Sequence, residues 1–511
     1  MVTPLAPPGV PLYTLLTVSL ILAFAFLGLR GIWDPDEGRY TNVALTMLDT
    51  GNWLDPMRNE DTGHWTKPPL TYWLIAASVA TFGQTPWAAR LPVALAYLAC
   101  IALAWVCARR LVRPAAGWVP LVYATMFLPV CAAQLITTDF LLSAFQLLAM
   151  AGFIVHRFPN TQERTQPWGL LVMYIGFGLA FLTKGPPALL PVLALLLLRW
   201  RCPHPVPASP LWHLAGVVLF LGIALPWYAV VGTRHAGLWE YFLGAELVDR
   251  VASDRFGRNG QWYGWLAVYG PTLLLGTAPW TIGLLRWGKG VPAMLRAAFR
   301  TDPAKAPVEP GALLLALWIL VPLLIFCLSR SRLPLYVLPL FAPIAIAIVS
   351  SWSARRWPSL SWLWVWIGFI LALRFAAAYF PTHKDASAWA SMLEQRSHAP
   401  VREVIFVEDM ARYGLHLHLD VEIERVAREL APQARFNPSY DESLWDEIKE
   451  TGLEDGLVYV TKQDLWPEVE RVVREHGFVA RPLGERYQGR VIFEVTHPPG
   501  VPGPPPKNAF R

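Results

Sequence analysis

The sequence predicts a polytopic α-helical membrane protein that carries a small α/β domain after its last membrane span. Of the 511 residues, 54% are hydrophobic and only 16% are charged, whereas soluble proteins carry about 25% charged residues. Apolar runs long enough to cross a bilayer recur through the first 380 residues. Beyond them, short valine-rich runs alternate with polar helical stretches, which is typical of an α/β domain.

Three regions are expected from these changes in composition. They are a membrane domain over residues 1–380, an α/β outer domain over 381–496, and a Pro/Gly-rich tail over 497–511 that we predict to be disordered. The net charge of +6 is distributed as membrane-flanking clusters, so we expect no nucleic-acid partner. All five cysteines lie in or beside apolar segments, which predicts neither a disulfide framework nor a cysteine metal site.

The membrane domain is expected to hold about 11 to 13 helices, because a span needs about 20 apolar residues. Basic clusters follow alternate spans, which places the N-terminus in the cytoplasm by the positive-inside rule. This holds only if residues 70–83 do not cross, and we interpret them as a helix in the membrane interface. The hydropathy pattern itself gives eleven spans, near residues 10–29, 88–108, 116–135, 140–156, 168–183, 186–199, 211–232, 263–285, 311–328, 333–351 and 359–379.

The outer face predicted by this topology collects cations that violate the positive-inside pattern. Cations at this face are costly unless they meet an anion, so their convergence indicates an anion site such as a lipid phosphate. For any one of them alone the alternative is a side chain that snorkels to the interface, which we favour for Arg30 and Arg90. The cations are Lys67, Lys184, Arg250, Arg330 and Arg332.

The first outer loop opens with an acidic motif, Asp34-Pro35-Asp36-Glu37-Gly38-Arg39-Tyr40. One interpretation is a helix start, with Asp34 as N-cap, Pro35 as first helical residue and Glu37 as the reciprocal acceptor of a capping box. That interpretation leaves Asp36 and Arg39 unexplained, and we therefore favour a functional role for them.

An amphipathic surface helix is predicted to follow this motif. Apolar residues recur at helical spacing from Tyr40 to Leu48, and Gly51 can end the helix. Asp36 lies one turn before Tyr40, which predicts a carboxylate on the apolar side of this helix.

Three further outer-face segments place charges next to membrane helices. Asp139 follows Thr137-Thr138, where it could cap a helix or act in a site. Lys184 is held between two apolar helices, and Arg330 and Arg332 stand shortly before Tyr336. In the loop 233–262, Glu246 and Arg250 have the spacing of a helical ion pair.

These motifs together resemble bacterial lipid-dependent glycosyltransferases of the GT-C type, and in particular the aminoarabinose transferases of lipid A with the wider mannosyltransferase-like family around them. The likeness covers nearly all of residues 10–350, in order. The matching pieces are Asp36-Glu37-Gly38-Arg39-Tyr40, Lys67-Pro68-Pro69-Leu70 with Tyr72-Trp73, Thr138-Asp139, Leu182-Thr183-Lys184-Gly185, Pro226-Trp227-Tyr228, Glu246 with Arg250, and Leu328-Ser329-Arg330-Ser331-Arg332-Leu333-Pro334-Leu335-Tyr336.

The resemblance implies a transferase in the bacterial cytoplasmic membrane, with its site and C-terminal domain facing the periplasm. It would use a polyprenyl-phosphate-linked sugar donor and a hydroxyl or phosphate acceptor on a lipid such as lipid A, a glycan or a protein. Asp36 would be the base or an essential acidic residue, with Glu37 and Asp139 as further catalytic residues. Contacts with the lipid phosphate and the rest of the substrate would come from Lys67, Arg250, Arg39, Tyr40, Lys184, Arg330, Arg332 and Tyr336.

The sequence departs from the family pattern where some members show a metal site. Thr66 stands where the family often has Glu, and Leu247 stands where His is common. His64 is a poor substitute, so a divalent metal is in doubt and no cofactor is expected. The C-terminal domain shows no evident metal constellation either, and we assign it acceptor contact or support.

A secondary transporter or lipid flippase is the alternative function. Such a protein would show two related halves and charges near the bilayer midplane. The sequence shows neither feature, and the clustered cations disfavour a non-catalytic scaffold. One base without a second nucleophilic carboxylate favours single displacement with inversion, and a retaining mechanism stays the alternative.

Overall fold

The computed structural model describes residues 10–159, 166–203, 208–249, 257–299, 308–352, 361–451 and 454–498. The chain divides into two compact units. The membrane unit comprises Met1–Leu27, Lys67–Thr71 and Arg90–Ala376, and the α/β unit comprises Gly28–Thr66, Tyr72–Ala89 and Ala377–Arg511. The α/β unit thus includes most of the first outer loop. The expected domain limits at 380 and 496 stay a prediction, and the tail beyond residue 498 lies outside the described residues.

The membrane unit is built from α-helices joined by short breaks. Four described helices are long and apolar enough to cross a membrane, Pro86–Leu111, Thr138–Arg157, Pro310–Leu328 and Ser361–Ala378, and the pair Pro210–Ala224 and Pro226–Arg234, bent by 40°, adds a fifth if it is one span. The other α-helices assigned to this unit are Leu12–Phe24, Val119–Thr125, Phe127–Ala132, Trp168–Lys184, Leu190–Arg201, Leu238–Tyr241, Gly264–Gly276, Thr281–Ala298 and Phe341–Ser350. Arg113–Trp118, Pro186–Leu189 and Pro334–Leu340 are 3₁₀-helices, and Phe242–Asp249 is a π-helix.

Several predicted spans are interrupted, so the count of eleven stays a prediction. The span expected over 116–135 breaks at Met126, whose backbone is extended. This break frees the carbonyl of Thr125, which accepts a hydrogen bond from the Trp366 indole (2.9 Å). Neighbouring side chains thereby satisfy backbone groups that a continuous helix would have paired, as a buried membrane segment requires.

Buried arginines of the membrane unit donate to backbone carbonyl groups. Arg374 donates to the carbonyl oxygens of Leu22 and Val130, each at 2.6 Å. Arg90 is only 1% exposed and donates to the Leu27 carbonyl at 3.0 Å. The expectation that Arg90 snorkels was wrong, because a helix end offers its guanidinium a carbonyl partner inside the protein.

The α/β unit contains a five-stranded mixed sheet. Its strands are β1 Glu403–Val407, β2 Glu422–Val426, β3 Leu457–Lys462, β4 Val479–Pro482 and β5 Arg490–Thr496, in the spatial order β2-β1-β3-β5-β4. β1 runs parallel to β2 and β3, whereas β5 runs antiparallel to β3 and β4. This confirms the predicted α/β character of the C-terminal region.

Helices cover both faces of this sheet. Val404, Phe406 and Val458 point to one face, where Trp389 and Leu393 of the helix Ala386–Arg396 pack. The strand residues between these point to the other face, where they pack against side chains of two helices. This cluster contains Ile405, Val407, Tyr459, Leu444, Ile448, Val469 and Val473. The remaining helices of the unit are Asp36–Thr50, Leu415–Leu419, Leu444–Thr451 and Trp466–Glu475, while Leu70–Phe82 lies mostly in it.

The surface helix predicted in the first loop is present. It spans Asp36–Thr50 and ends at Gly51, which has a left-handed backbone (φ 67°), as the sequence suggested. The interfacial segment predicted over 70–83 forms the helix Leu70–Phe82, whose 13 residues are too few for a comfortable span.

We expect Gly38→Ala to destabilise the α/β unit by about 2 kcal/mol or more, which is large for one methyl group. A Cβ at this position would lie 1.7 Å from a carboxylate oxygen of Asp34 and 2.7 Å from the Gly414 nitrogen. Thermal unfolding of the full chain measures this loss. Gly222→Ala is the matched control, because no atom lies within 4 Å of the added Cβ. Equal melting temperatures for the two variants would contradict the prediction.

Candidate active site

A lysine, a carboxylate and a phenol meet in the membrane unit. The Lys184 ammonium forms an ion pair with Asp139 and lies 4.7 Å from the centroid of the Tyr336 ring. The Lys184 and Asp139 side chains are only 11% and 9% exposed. Lys184 is the last residue of the helix Trp168–Lys184, and Gly185 (φ 75°) ends it. The structure therefore joins three of the residues that the sequence singled out separately.

Asp139 does not cap its own helix. The Thr137 hydroxyl accepts from the Asp139 backbone nitrogen (3.4 Å), so Thr137 is the capping side chain of Thr138–Arg157. This leaves the Asp139 carboxylate to bind Lys184, and its place in the first helical turn is favourable for a negative charge. Of the two roles weighed for Asp139, the geometry supports the one in a site.

Tyr336 is positioned from its other end by Arg258. The Arg258 guanidinium donates a hydrogen bond to the Tyr336 hydroxyl at 3.0 Å. The sequence does not distinguish Arg258 from the other charged residues of the loop 233–262. Arg258 is identified only by the fold, because the segment around it pairs with the distant segment that contains Arg332 and Tyr336. In this pairing the Arg332 backbone nitrogen also donates to the Arg258 carbonyl (2.8 Å).

The two arginines before Tyr336 have different environments. Arg332 is buried and donates to the carbonyls of Asn259 (2.7 Å), Gln261 (2.8 Å) and Cys327 (3.0 Å). These contacts hold the loop that carries Arg258. Arg330 is exposed, and within the described ranges no side chain pairs with it. The geometry thus gives Arg332 a structural role and leaves only Arg330 available to a ligand.

Lys67 contacts Glu246 in a second part of the membrane unit. Its ammonium lies 3.5 Å from the carboxylate, which also accepts from the Tyr241 hydroxyl (3.1 Å). The sequence had suggested Arg250 as the partner of Glu246, and Arg250 lies outside the described residues. The Lys67 side chain is little exposed (11%), and its ammonium is held beside the Glu246 carboxylate.

The prediction that Asp34 and Glu37 form a capping box was wrong. The helix begins at Asp36 and no side chain caps it. Both oxygens of Asp34 accept from the Gly414 nitrogen at 3.2 Å, and Glu37 accepts from Arg30 (2.6 Å) and the Trp33 nitrogen (3.0 Å). Asp34 is therefore bound by a distant residue and Glu37 by residues just before the helix, and Arg30 is buried and does not snorkel.

Asp36 is the exposed carboxylate of the motif. Its side chain is 67% exposed and pairs with Arg39 at 2.5 Å. The prediction that it lies on the apolar side of the helix was wrong, because the buried face carries Glu37, Thr41 and Ala44 instead. The Tyr40 ring stacks on Tyr72 with centroids 5.8 Å apart. Glu37 is buried in its ion pair, which leaves Asp36 as the accessible acid.

A polar cavity of about 480 Å³ adjoins this motif within the α/β unit. Arg39 lies in its wall, and cationic side chains outnumber acidic ones around it. Some of these cations are already paired: Arg58 with Asp441 (2.9 Å) and Arg490 with Asp409 (2.9 Å). The charged residues in the lining are Arg39, Arg58, Arg425, Lys462, Arg490, Glu408 and Asp409.

The position of the family's metal site holds no cluster of metal ligands among the described residues. The Thr66 hydroxyl is 2.8 Å from His64 Nε2, so these two side chains pair with each other. The one described group of three potential metal ligands is elsewhere, in the α/β unit: Glu403, Glu424 and Glu447. Sequence reasoning missed it, because its members are far apart in the chain.

The buried carboxyl of Asp34 predicts a pH dependence of stability. Burial raises its pKa well above the usual value, against the hydrogen bond from Gly414. A raised folded-state pKa adds stability that is complete below the unfolded pKa and is lost as pH rises through the folded value. The free energy of unfolding of the native chain, taken relative to that of Asp34→Asn, should therefore increase when the pH falls from about 8 to about 5. Thermal unfolding of both chains over this pH range measures the difference. A parallel pair of stability curves for the native chain and Asp34→Asn would contradict this.

Comparison with known proteins agrees with this architecture. A family model described as dolichyl-phosphate-mannose-protein mannosyltransferase matches residues 66–229. An undecaprenyl phosphate-alpha-4-amino-4-deoxy-L-arabinose arabinosyl transferase of Pectobacterium carotovorum is 31% identical over 384 residues, which are 71% of this chain and 64% of that relative. The corresponding protein of Pseudomonas aeruginosa is 32% identical over 64% of this chain and 58% of its own length.

A solved structure shows the same fold. The crystal structure of ArnT from Cupriavidus metallidurans bound to undecaprenyl phosphate superposes with a TM-score of 0.73, at 20% identity, over 94% of this chain and 97% of that one. The apo form of the same protein gives 0.71. At this identity the match establishes the fold alone.

The class of protein is thus a multi-pass membrane protein of the GT-C fold with a small sheet domain, as the sequence predicted. Within that class, the chain is similar to undecaprenyl phosphate-aminoarabinose arabinosyl transferases, and its residues 66–229 match the mannosyltransferase family model. It spans 64% of the length of the first of these relatives, so their activity carries over only as a proposal.

Proposed function

We propose that this protein is a glycosyltransferase that moves a sugar from a polyprenyl-phosphate donor to a hydroxyl or phosphate acceptor. The observation that carries the proposal is the Lys184 cluster: a little-exposed cation, held by Asp139 and Tyr336, in the membrane unit. The names of the relatives support the donor class, since those proteins are undecaprenyl-phosphate-dependent transferases.

The leaving group explains why fixed cations are needed. When the bond between the sugar carbon and the phosphate oxygen breaks, the polyprenyl phosphate takes the electron pair and gains negative charge. Lys184 and Lys67 can neutralise this charge, and preorganised cations in a water-poor site stabilise it more than water does. Asp139 keeps Lys184 in place before the phosphate binds, because a little-exposed lysine without a partner is costly.

The acceptor side needs a group that takes a proton. We assign this role to Asp36, whose carboxylate is accessible and whose orientation is set by the ion pair with Arg39. It would accept the proton of an acceptor hydroxyl, or of a singly protonated phosphate, as the new glycosidic bond forms. With Asp36 as the one assigned base, we propose a single displacement with inversion, and a retaining mechanism stays the alternative.

The acceptor is proposed to be anionic at the point where it binds. The cavity of about 480 Å³ next to Asp36 offers Arg39, Lys462 and Arg425 among its lining residues. A phosphorylated lipid such as lipid A fits this charge better than a neutral glycan or an unmodified protein chain, which stay the alternatives. Phosphate groups favour guanidinium partners because two parallel hydrogen bonds form.

The site is proposed to face the periplasm from the bacterial inner membrane. The positive-inside pattern supports this orientation, since the clusters Arg109/Arg110, Arg199/Arg201 and Arg286/Lys289 follow alternate spans. The α/β unit would then lie in the periplasm, where phosphorylated envelope lipids are accessible.

The decisive experiment incubates the purified chain in detergent with labelled polyprenyl-phosphate sugars and an acceptor such as lipid A. Release of polyprenyl phosphate together with a labelled acceptor is expected, and it needs no closed membrane. A flippase would instead move the lipid across proteoliposomes without breaking it. Intact donor after incubation with folded protein, for every sugar and acceptor tried, would overturn the proposed function.

A further inference from the structure

Three carboxylates meet beneath a helix of the α/β unit. Glu403 begins β1, Glu424 is central in β2, and Glu447 belongs to the helix Leu444–Thr451. In the parallel pairing Glu424 lies beside Ile405, so Glu403 and Glu424 share the sheet face that this helix covers. One oxygen from each carboxylate lies within 4.8 Å of the others.

One of these carboxylates is buried with an oxygen that nothing satisfies. Glu447 is only 2% exposed, and its Oε1 accepts no hydrogen bond from any described residue. Glu424 accepts a hydrogen bond from the Asn59 amide at 3.0 Å, and its carboxyl is also within hydrogen-bonding reach of Glu447. A buried carboxylate without a donor or a cation is strongly unfavourable, so this arrangement calls for a positively charged ligand.

The surroundings make the negative charge worse. The groups that act most strongly on the Glu403 carboxyl are all acids: Glu422, Glu442, Glu450 and Glu60. A structural ion pair would have supplied an arginine or lysine here.

We propose that Glu403, Glu424 and Glu447 form a site for a divalent cation of the calcium class. The donors are all carboxylate oxygens, which hard cations prefer, and no histidine or cysteine belongs to the described group. Ca²⁺ accepts flexible oxygen coordination at about 2.3–2.6 Å, whereas Mg²⁺ demands near-ideal octahedral geometry at about 2.0–2.1 Å and usually keeps several waters, so three carboxylates from separate elements favour Ca²⁺.

The cation would tie together three elements that are distant in sequence. β1, β2 and the helix Leu444–Thr451 each contribute one ligand, and Asn59 connects the first-loop segment to Glu424. Binding to the folded chain but not to the unfolded one stabilises the fold. The site is therefore structural, and it is independent of the transferase activity proposed above.

The experiment uses the full chain in detergent, stripped with chelator and then titrated with CaCl₂ by isothermal calorimetry and thermal unfolding. We expect one Ca²⁺ per chain and a rise in Tm that EDTA reverses. Glu447→Gln should weaken Ca²⁺ binding at least tenfold and abolish the rise in Tm. Glu475→Gln, on an exposed residue of the helix Trp466–Glu475, is the matched control and should behave as the native chain.

The alternative is a cluster of neutral carboxylic acids that share protons. In that case Ca²⁺ and EDTA leave Tm unchanged, and Glu447→Gln raises Tm equally with and without Ca²⁺. This pattern of melting temperatures would overturn the proposal. So would full Ca²⁺ binding by Glu447→Gln, or stoichiometric binding of Zn²⁺ by a native chain that does not bind Ca²⁺. The proposal is supported if Glu447→Gln has the same Tm as the native chain in EDTA and its Tm no longer rises with Ca²⁺. Equal Tm values in EDTA show that the variant is folded, so misfolding does not explain the lost response.

Discussion

Replacing Asp36 with asparagine should lower the rate of glycosyl transfer by about 10²–10⁴-fold, the contribution that general-base catalysis typically makes. Asparagine keeps the shape of the side chain and can still accept from Arg39, but it cannot take a proton. The side chain is 67% exposed, so the substitution should leave the melting temperature unchanged. Release of labelled polyprenyl phosphate measures the rate.

The control for this variant is Asp464→Asn, another exposed carboxylate of the α/β unit. It should retain native activity. A Glu37→Gln variant separates the two acids of the motif, because Glu37 holds Arg30 and the Trp33 nitrogen. It should lower stability more than Asp36→Asn does. Activity of Asp36→Asn within a factor of about two of the native rate would refute the assignment of the base, since such a factor is below any catalytic contribution.

Replacing Lys184 with methionine should lower kcat/KM for the polyprenyl-phosphate donor by about 10²-fold or more, as the loss of a preorganised charge at a developing anion does. Methionine is unbranched like lysine and keeps apolar contact with the Tyr336 ring, 4.7 Å from the ammonium in the native chain. The loss should therefore reflect the missing charge. Initial rates over a range of donor concentrations separate kcat from KM.

Lys184→Met also leaves Asp139 without its partner, which can destabilise the fold. The double variant Asp139→Asn/Lys184→Met removes both charges and should recover the melting temperature while remaining inactive. Lys289→Met, on an exposed cation of the helix Thr281–Ala298, is the control and should stay active. A double variant that regains transfer would show that Lys184 acts only by supporting the fold.

The first loop shows where local sequence rules succeed and where they stop. The surface helix and its end at Gly51 were predicted correctly, because helical periodicity and a left-handed glycine are local properties. The capping roles of Asp34 and Glu37 were wrong. Gly414 offers Asp34 a backbone donor 380 residues away, and Arg30 offers Glu37 a full charge. Local capping is worth about 1 kcal/mol, and a buried charge partner can exceed that.

The grouping of the outer-face cations could be predicted only in part. Topology placed Lys67, Lys184 and Arg332 together as one class, since each breaks the positive-inside pattern. The contacts separate them: Lys184 pairs with Asp139, Lys67 with Glu246, and Arg332 is held by backbone carbonyls. The positive-inside rule concerns insertion into the membrane and carries no information about which anion a cation meets after folding.

The acidic cluster of the α/β unit had no detectable signature in the sequence. Glu403, Glu424 and Glu447 are separated by about twenty residues each, and each one alone fits a polar position at the edge of a strand or on a helix. Their proximity follows from the parallel register of β1 and β2 and from the helix that crosses them. Strand register is set by pairing and burial across the whole sheet.

The sequence by itself determined the membrane fold class, the α/β character of the C-terminal region, the helix after Asp36 and the identity of the charged residues near each membrane helix. These properties follow from hydrophobicity and periodicity over windows of about 20 residues. Only the tertiary structure decided which charges are partners: Lys184 with Asp139, Arg30 with Glu37, and three glutamates with one another. The physical reason is that burial makes an unpaired charge costly, and its partner is chosen among all residues that folding brings near, whatever their distance along the chain.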